Sequence, residues 1–269
     1  MAILAALPLL LSISILREGA MAVNVSYPQS SVAAAAPAVL RARKGSVVYH
    51  AIRRGILLAE LAPGQGLVEQ QIAGELGCSQ GTVREALLRL QEDGLVSRRG
   101  YQGTVVSATS PAEAAQMARI RIQIETTGIR RSASGFRAAA IDELERLIER
   151  SEAASRAADA YHCSELDRQF HVTIFQASGL AALEPILVRC ALHMHRYTFR
   201  LPHCTTRQHE SPVREQHLAI LGALARREPE AAARALQAHI EAVIDFWSPA
   251  LRRAMAEGGA APPFVEPSG

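Results

Sequence analysis

The stretch LGCSQGTVREALLRLQEDGLVSRRGYQGTVV, Leu76 to Val106, predicts a helix followed by a short hairpin. Ser79 is a good N-cap, because its hydroxyl can accept a hydrogen bond from a free N–H of the first turn. Apolar residues then recur at i, i+3, i+4 and i+7, which marks one face of a helix: Val83, Ala86, Leu87 and Leu90. Gly94 ends the helix, since glycine readily adopts the left-handed conformation.

The opposite face of this helix carries small, polar and cationic residues: Gln80, Gly81, Thr82, Arg84 and Arg89. Such a face suits a DNA major groove, because Arg pairs with guanine edges or phosphate, Gln with adenine, and Thr with phosphate or a thymine methyl. The structural alternative is an ordinary amphipathic helix whose polar face is solvated.

The sequence before this helix supplies the rest of a helix-turn-helix. SVVYHAIRRGILLAEL, residues 46–61, has one apolar stripe and is followed by a turn at Pro63-Gly64. A second short helix is predicted from Glu69 to Leu76, and Gly77 allows a tight turn into Ser79. Two helices joined by a turn that contains glycine are the signature of this motif.

The sequence after the helix predicts a wing. Two short strands, LVSRR and TVV, are joined by residues 100–103, and Arg98, Arg99 and Tyr101 would lie on the DNA backbone or in the minor groove. The cationic excess between residues 41 and 106 is small, so charge permits nucleic-acid binding without requiring it.

These residues resemble a known family. PGQGLVEQQIAGELGCSQGTVREALLRLQEDGLVSRRGYQGTVV is similar to the winged helix of GntR-type bacterial transcriptional regulators. The resemblance implies that Ser79, Gln80, Gly81, Thr82, Arg84 and the wing residue Gly103 contact DNA. The chain departs from the family where members commonly have Arg at the position of Gln80, and Thr or Pro at Gly81 or Thr82. An altered operator sequence is therefore expected, since one bidentate Arg–guanine pair contributes about 1–3 kcal/mol of discrimination.

The 269-residue chain is rich in helix formers, and Lys44 is its only lysine. Its composition predicts a mainly α fold, and its net charge of +3 does not identify a partner. Residues 1–20 form an apolar run that is too short for a comfortable transmembrane helix and lacks the basic region of a signal peptide. We expect translation to begin at Met21; the alternatives are a genuine N-terminal segment or a signal-peptide core. Residues 1–44 are therefore expected to be a wrongly assigned start followed by a disordered arm, whose basic end would touch phosphate: Arg41, Arg43 and Lys44.

The four cysteines are scattered along the chain without a C-x-x-C pair: Cys78, Cys163, Cys190 and Cys204. This spacing argues against a zinc ribbon, a redox motif or a disulfide scaffold, and it fits a protein of the reducing cytoplasm. No membrane partner is expected. Cys78 is expected to fill a small apolar position between the two DNA-binding helices.

A second, all-α domain is predicted over residues 110–255, behind the winged helix-turn-helix at 45–106. Ser110-Pro111-Ala112-Glu113 is a capping box with Pro at the first helical position, and this helix runs to about Ser132. Its stripe of Met117, Ile120 and Ile124 is expected to face inward. Further helices with 3.6-residue periodicity are expected at 138–156, 158–178, 181–200, 212–226 and 229–255. Residues 256–269 are expected to be a disordered tail.

Four side chains of this domain form a candidate metal site. Asp167 and His171 are i and i+4 on one helix face. His217 and His239 are equidistant from residue 228, near the turn between two helices, so an antiparallel hairpin places them level with each other. If all four face inward, one carboxylate and three imidazoles converge, a set that suits zinc, nickel or manganese. Each histidine alone is more simply explained as a surface or satisfied core residue.

This half of the chain resembles the FCD ligand-binding domain found behind the winged helix in the FadR branch of the GntR family. The similarity lies in RIRIQIETTGIRRSA, in D-x-x-x-H, in EQHLAIL and in AHIE, so the full resemblance covers about residues 46–245. It implies a divalent metal on Asp167, His171, His217 and His239, facing a cavity that holds a small organic acid. Arg121 matches an arginine that lines this cavity, although an ion pair with Glu125 one turn on is an equal alternative. Arg196 or Arg200 would also face it.

The sequence therefore predicts a ligand-responsive transcriptional regulator. A homodimer would bind a palindromic double-stranded DNA operator, and a small carboxylate effector near a divalent metal would control repression or activation. The competing function is a metal-dependent hydrolase or hydratase that uses the Asp/His cluster, although no further Glu or His is clearly placed as its general base. A third possibility is an architectural DNA-binding protein with an inert, apolar bundle.

Overall fold

The structure is a computed structural model, and it describes residues 32–100, 103–198 and 212–257. The predicted Met21 start, the wing residue Tyr101, Arg200, Cys204 and the tail beyond residue 257 lie outside the described residues. The predicted fold class, a winged helix-turn-helix followed by an all-α bundle, is confirmed. Within the described residues no strand follows the wing, and no helix is long and apolar enough to span a membrane.

In the part of the chain that the structure describes, the first unit contains three helices and a small antiparallel sheet. Its elements in chain order are α1 (Val32–Leu57), β1 (Gly66–Leu67), α2 (Glu69–Glu75), α3 (Gln80–Glu92), β2 (Val96–Arg98) and β3 (Thr104–Val106). The strand order is β1-β3-β2, with Gly66 and Ser97 flanking Val105. The predicted stripe of α3 packs against α1 and the sheet in one core, while Cys78 packs at its edge. The two-residue strand β1 was not predicted.

The first helix is longer than expected. It begins at Val32, so the expectation of a disordered arm is wrong for residues 32–44, and it ends at Leu57 rather than Leu61. The run from Val32 to Ala38 is rich in Ala, the best helix former, and the helix continues through Pro37. Residues 22–31 of the predicted arm lie outside the described range.

The second unit, as far as residues 103–198 and 212–257 describe it, contains seven α-helices: α4 (Pro111–Ser132), α5 (Ala138–Arg156), α6 (Ala160–Gln176), α7 (Glu184–Thr198), α8 (Val213–Ala225), α9 (Pro229–Trp247) and α10 (Pro249–Glu257). The Ser110–Glu113 capping box is present, and short 3-10 turns follow α4 and precede α7. Helix α4 is central, because α6, α7, α9 and α10 all pack against it. A single helix over 229–255 was expected, but Ser248 interrupts it, since Pro249 disfavours a helical conformation at the preceding residue.

Helix α4 buries a different face from the predicted one. Ile120 is 41% exposed, whereas Arg121 and Glu125 are each 2% exposed. Met117 and Ile124 are only half-buried. The expectation that Met117, Ile120 and Ile124 form the inward stripe is therefore wrong, because a buried ion pair lies on the core face instead.

Helix α7 belongs to both units. Leu192 lies in the core of the winged helix, and Val188 packs against that core. Met194, on the other side of α7, lies in the core of the bundle. The two units are therefore packed against each other through a shared helix.

Candidate metal centre and nucleic-acid interface

Local hydrogen bonding fixes the start of α3. Ser79 Oγ accepts a hydrogen bond from the Thr82 backbone N–H at 3.2 Å, and the two hydroxyl oxygens lie 2.9 Å apart. Thr82 is only 4% exposed. The structure therefore places the Thr82 hydroxyl in the cap and not on the outer surface, contrary to the expectation that it is displayed to DNA.

The outer face of α3 is formed by the other residues at its N-terminal end. Gln80, Gly81 and Arg84 are exposed on one side. Arg89 was expected to join them, but it lies on the flank against α1, where its guanidinium carbon is 4.2 Å from the centre of the Tyr49 ring. This cation–π contact accounts for its position.

The wing displays its predicted polar residues. Arg98, Arg99 and Gly103 are exposed, and Gly103 has a φ of +70°, a conformation that favours glycine. An open groove of about 440 Å³ runs beside the wing and is lined by residues of β1, α2 and the β2–β3 turn, Glu69 and Arg98 among them. Arg84 and Arg98 both approach the carboxylate of Glu69, a residue that was not predicted as part of this surface.

The second unit brings the four predicted metal ligands together. Asp167 and His171 lie on α6, His217 on α8 and His239 on α9, and one donor atom from each lies within 4.8 Å of all the others. His239 Nε2 is 3.1 Å from His171 Nε2 and 3.2 Å from His217 Nε2. Asp167 Oδ1 lies 3.3–3.7 Å from the three nitrogens. Ligands that share one zinc-sized ion are separated by roughly 3–3.5 Å, so the donor set fits such an ion.

The partners of the outer imidazole nitrogens fix two of the tautomers. His171 Nδ1 contacts the Glu125 carboxylate, and His239 Nδ1 lies 2.9 Å from Gln216 Oε1. Both partners are acceptors, so both Nδ1 atoms carry the proton and donate it. When the two rings are neutral, their Nε2 lone pairs therefore face each other at 3.1 Å. This arrangement is repulsive unless a metal cation or a proton lies between the nitrogens.

The protonation of the cluster follows from burial and the nearby carboxylates. Burial lowers the pKa of His217, and burial together with the neighbouring His217 lowers the pKa of His239 to about 3. Burial also acts against the charged form of His171, but Glu125 and Asp167 outweigh it and raise the pKa of His171. His217 and His239 are thus neutral near pH 7, the form in which imidazole binds a metal.

Three further residues surround the cluster and were not predicted as part of it. Glu125 joins His171 to Arg121, whose Nε donates to Glu125 Oε1 at 2.6 Å. His195 Nε2 lies 3.2 Å from Asp167 Oδ2, and Gln216 holds His239. Glu125 could be found in the sequence only as the i+4 partner of Arg121. No sequence signal pointed to His195, because it comes from the shared helix α7.

The two predicted effector residues lie in different places. Arg121 borders the metal cluster: within the described residues its Nη2 makes no hydrogen bond, and it lies 3.9 Å from Asp167 Oδ2. Arg196 instead donates from Nη2 to the Ser107 carbonyl in the linker between the two units. The role of Arg196 in effector binding stays a prediction, since this contact concerns only its Nη2.

Comparisons with known proteins match both units separately. The family described as "Bacterial regulatory proteins, gntR family" matches residues 44–106, and the FCD domain matches residues 116–242. The chain is 28% identical over 199 residues to the HTH-type transcriptional repressor RspR of Escherichia coli (strain K12), covering 73% of this chain and 85% of RspR. It is 34% identical over 143 residues to an uncharacterized HTH-type transcriptional regulator of Agrobacterium vitis, covering 52% and 84% of the two chains.

Solved structures share the fold. The structure of E. coli McbR/YncC matches with a TM-score of 0.64 at 21% identity, covering 80% of this chain and 97% of that chain. A putative transcriptional regulator GntR from Rhodococcus sp. RHA1 matches with a TM-score of 0.59 at 21% identity, covering 80% and 99%.

Proposed function

From the premise that the chain belongs to the gntR family of bacterial regulatory proteins and carries an FCD domain, we propose that it is a metal-loaded, carboxylate-responsive repressor or activator that binds a palindromic operator as a homodimer. The family and its relatives are transcriptional regulators, so the chain is a transcriptional regulator and not the hydrolase or hydratase considered from its sequence. The inert-bundle alternative fits poorly with a core that contains Arg121, Glu125 and three buried histidines.

DNA binding is assigned to α3 and the wing. The exposed N-terminal face of α3, formed by Gln80, Gly81 and Arg84, would enter the major groove, while Arg98 and Arg99 would contact the backbone. In a two-fold symmetric dimer, the two winged helices would bind the two halves of a palindrome. Gln80 would favour adenine at the position where an arginine would favour guanine.

The observation that carries the metal proposal is the convergence of one donor atom from each of Asp167, His171, His217 and His239, all within 4.8 Å of one another. Asp167, His171, His217 and His239 would hold a divalent ion such as zinc, nickel or manganese. When bound, this ion supplies positive charge at the centre of the bundle and an affinity for carboxylate oxygen. Glu125 and Gln216 hold two of the imidazoles in the ligating tautomer, which is the usual role of outer-shell partners.

The effector proposal depends on the unused donors of Arg121. The Nε of Arg121 donates to Glu125, so the predicted alternative, an ion pair with Glu125, is present. The Nη2 of Arg121, however, is buried without a hydrogen bond within the described residues. A buried guanidinium N–H group without a hydrogen-bond partner is costly. A small organic acid beside Asp167 would satisfy it with a charge-assisted hydrogen bond.

Regulation would follow from a difference in effector affinity between DNA-competent and DNA-incompetent arrangements. Helices α6 and α7 carry both kinds of contact. Asp167 and His195 lie at the cluster, whereas Glu165 contacts Arg53 of α1 and Leu192 lies in the winged-helix core.

The experiment is metal analysis of the purified full chain with a thermal-shift screen of mono-, di- and tricarboxylic acids, with and without chelator. We expect one bound ion per chain and one acid that stabilises only the metal-loaded protein, by about 2.7 kcal/mol at a hundredfold excess over Kd. His217→Ala should lose both responses, and the exposed control His162→Ala should keep both. Absence of metal and of any acid response would contradict the metal and effector proposals and leave DNA binding standing.

A further inference from the structure

Glu69 and Arg84 join the short helix α2 to the DNA-facing helix. Arg84 Nε donates to Glu69 Oε2 at 3.1 Å, and Arg84 Nη2 donates to the same oxygen at 2.8 Å. The Arg84 side chain is 58% exposed and that of Glu69 only 20%. The carboxylate thus lies at the base of the arginine, and the guanidinium points outward.

The edge of the guanidinium that Glu69 uses determines what remains for a ligand. A guanidinium has five N–H groups in one plane, and Glu69 accepts from Nε and from one N–H of Nη2. The outer edge, formed by Nη1 and the second N–H of Nη2, is the one that can pair bidentately with O6 and N7 of guanine or with two phosphate oxygens. DNA contact therefore does not require the Glu69–Arg84 pair to break.

We propose that Glu69 is a positioning residue for operator recognition, which holds the plane of Arg84 so that its outer edge is presented to one base pair in each half-site. This inference rests on the proposed DNA-binding function. An exposed ion pair of this kind contributes little to stability, so its main effect would be on the orientation of the arginine. Arg98 Nη2, 3.9 Å from Glu69 Oε1, adds a second cation that screens the carboxylate from the phosphates.

The opposite role would be inhibition, in which Glu69 competes with DNA for Arg84. The two roles predict different affinities. A competing carboxylate weakens binding to every duplex, whereas a positioning carboxylate strengthens binding to the correct sequence only. The ratio of specific to non-specific affinity therefore separates them.

The test begins with duplexes selected from a randomised library by the wild-type protein. Affinities for the selected duplex and for a scrambled duplex of equal length are then measured at one salt concentration for wild type, Glu69→Ala, Arg84→Ala and the double variant. We expect Glu69→Ala to lower the specificity ratio by about five- to tenfold, a part of what a bidentate base contact contributes, and to have no further effect in the Arg84→Ala background. Reselection with Glu69→Ala should show weakened preference at one base pair per half-site.

The control is Glu75→Ala, which removes another carboxylate from α2. The carboxylate of Glu75 accepts a hydrogen bond from Gln71 and does not contact Arg84. The Glu75→Ala variant should leave the specificity ratio unchanged, and the melting temperatures of both variants should stay close to that of wild type. Equal tightening on both duplexes, or an equal loss in the Arg84→Ala background, would overturn the proposal. A wild-type protein that enriches no sequence would overturn the DNA-binding function itself and this inference with it.

Discussion

At Arg121 a full positive charge lies in the middle of a helical bundle. Burying a guanidinium is costly unless it is paired, and Glu125 supplies the pairing charge one helical turn away. Burial alone would raise the pKa of Glu125, but His171 and Arg121 outweigh it and lower that pKa to about 2. Glu125 is therefore ionised at all physiological pH values, and it serves Arg121 and His171 at once.

His193 offers a pH-dependent test of the contact between the two units. Its Nδ1 lies 2.8 Å from the hydroxyl of Thr109 in the linker, and burial together with Arg196 and Arg189 lowers its pKa to about 4. The unfolded chain binds a proton near pH 6.5 and the folded chain does not until about pH 4, so stability falls as pH drops through this window. Between pH 7 and pH 4, titration of His193 should lower the free energy of unfolding of the wild type by an amount on the order of 3 kcal/mol. The His193→Gln variant should not show this decrease.

The measurement is chemical denaturation of wild type and His193→Gln across this range in the presence of chelator. The exposed His162→Gln is the matched control, and it should follow the wild-type curve. A free-energy difference between wild type and His193→Gln that does not change with pH would show that His193 is not the titrating group.

At the scale of elements, the crossing of α4 over α6 depends on one glycine. A Cβ at Gly128 would lie 2.5 Å from a ring carbon of Phe175, which is only 2% exposed. Helix propensity alone would make Gly128→Ala stabilising by about 1 kcal/mol. Overpacking of a tight core costs about 1–3 kcal/mol or more, so we expect net destabilisation.

Gly74 in α2 provides the comparison, because a Cβ there meets no atom within 4 Å. Gly74→Ala should raise the free energy of unfolding by about 0.5–1 kcal/mol, while Gly128→Ala should lower it. Urea denaturation of both variants measures the difference. Similar effects of the same sign would mean that α4 and α6 do not pack as closely as the structure places them.

Helices whose residues follow a regular pattern could be placed from the sequence. A helix whose buried face carries charged residues could not be oriented from it. The hairpin symmetry of His217 and His239 about residue 228 correctly placed their nitrogens together, because two antiparallel helices have equal rise per residue. Helix α4 was misread, since its core face carries Arg121 and Glu125, while Ile120 of the predicted stripe is exposed and Met117 and Ile124 are only half-buried. Hydrophobic periodicity finds a buried face only where burial is apolar.

Long-range contacts were beyond the sequence for a different reason. His195 reaches Asp167 only because α7 packs between the two units, and nothing local to its sequence encodes that position. Thr82 and Arg89 lie on the predicted polar side of α3, but a cap bond and the Tyr49 ring hold them away from its outer face. The polarity of the residues identified the side of α3 on which they lie, but it did not show which neighbouring groups they contact.

At the scale of the whole molecule, one buried ion pair joins the winged helix to the bundle. Arg53 of α1 contacts Glu165 of α6, and their side chains are 3% and 9% exposed. Arg168 also donates to Glu165 at 2.9 Å. Asp167 of the proposed metal site follows Glu165 by two residues on α6. A movement of α6 at the metal site would therefore also move Glu165 relative to Arg53.

The Glu165→Gln variant should make the two units unfold in separate steps. Removing one partner of a buried pair leaves the other charge uncompensated and costs about 3–5 kcal/mol. Because the pair spans the boundary, we expect the winged helix to unfold at a lower temperature than the bundle in calorimetry. Glu230→Gln, which removes the partner of the exposed Arg130, should cost no more than about 1 kcal/mol.

The same variant tests how the proposed signal travels. If docking through Arg53 and Glu165 transmits the state of the cluster, the ratio of operator affinities with and without metal should approach one in Glu165→Gln, while metal affinity without DNA stays near wild type. Linkage requires that operator DNA then also stops changing the metal affinity. A variant that unfolds in two steps but keeps the full wild-type ratio would place the coupling elsewhere, for example in α7 and its linker contacts.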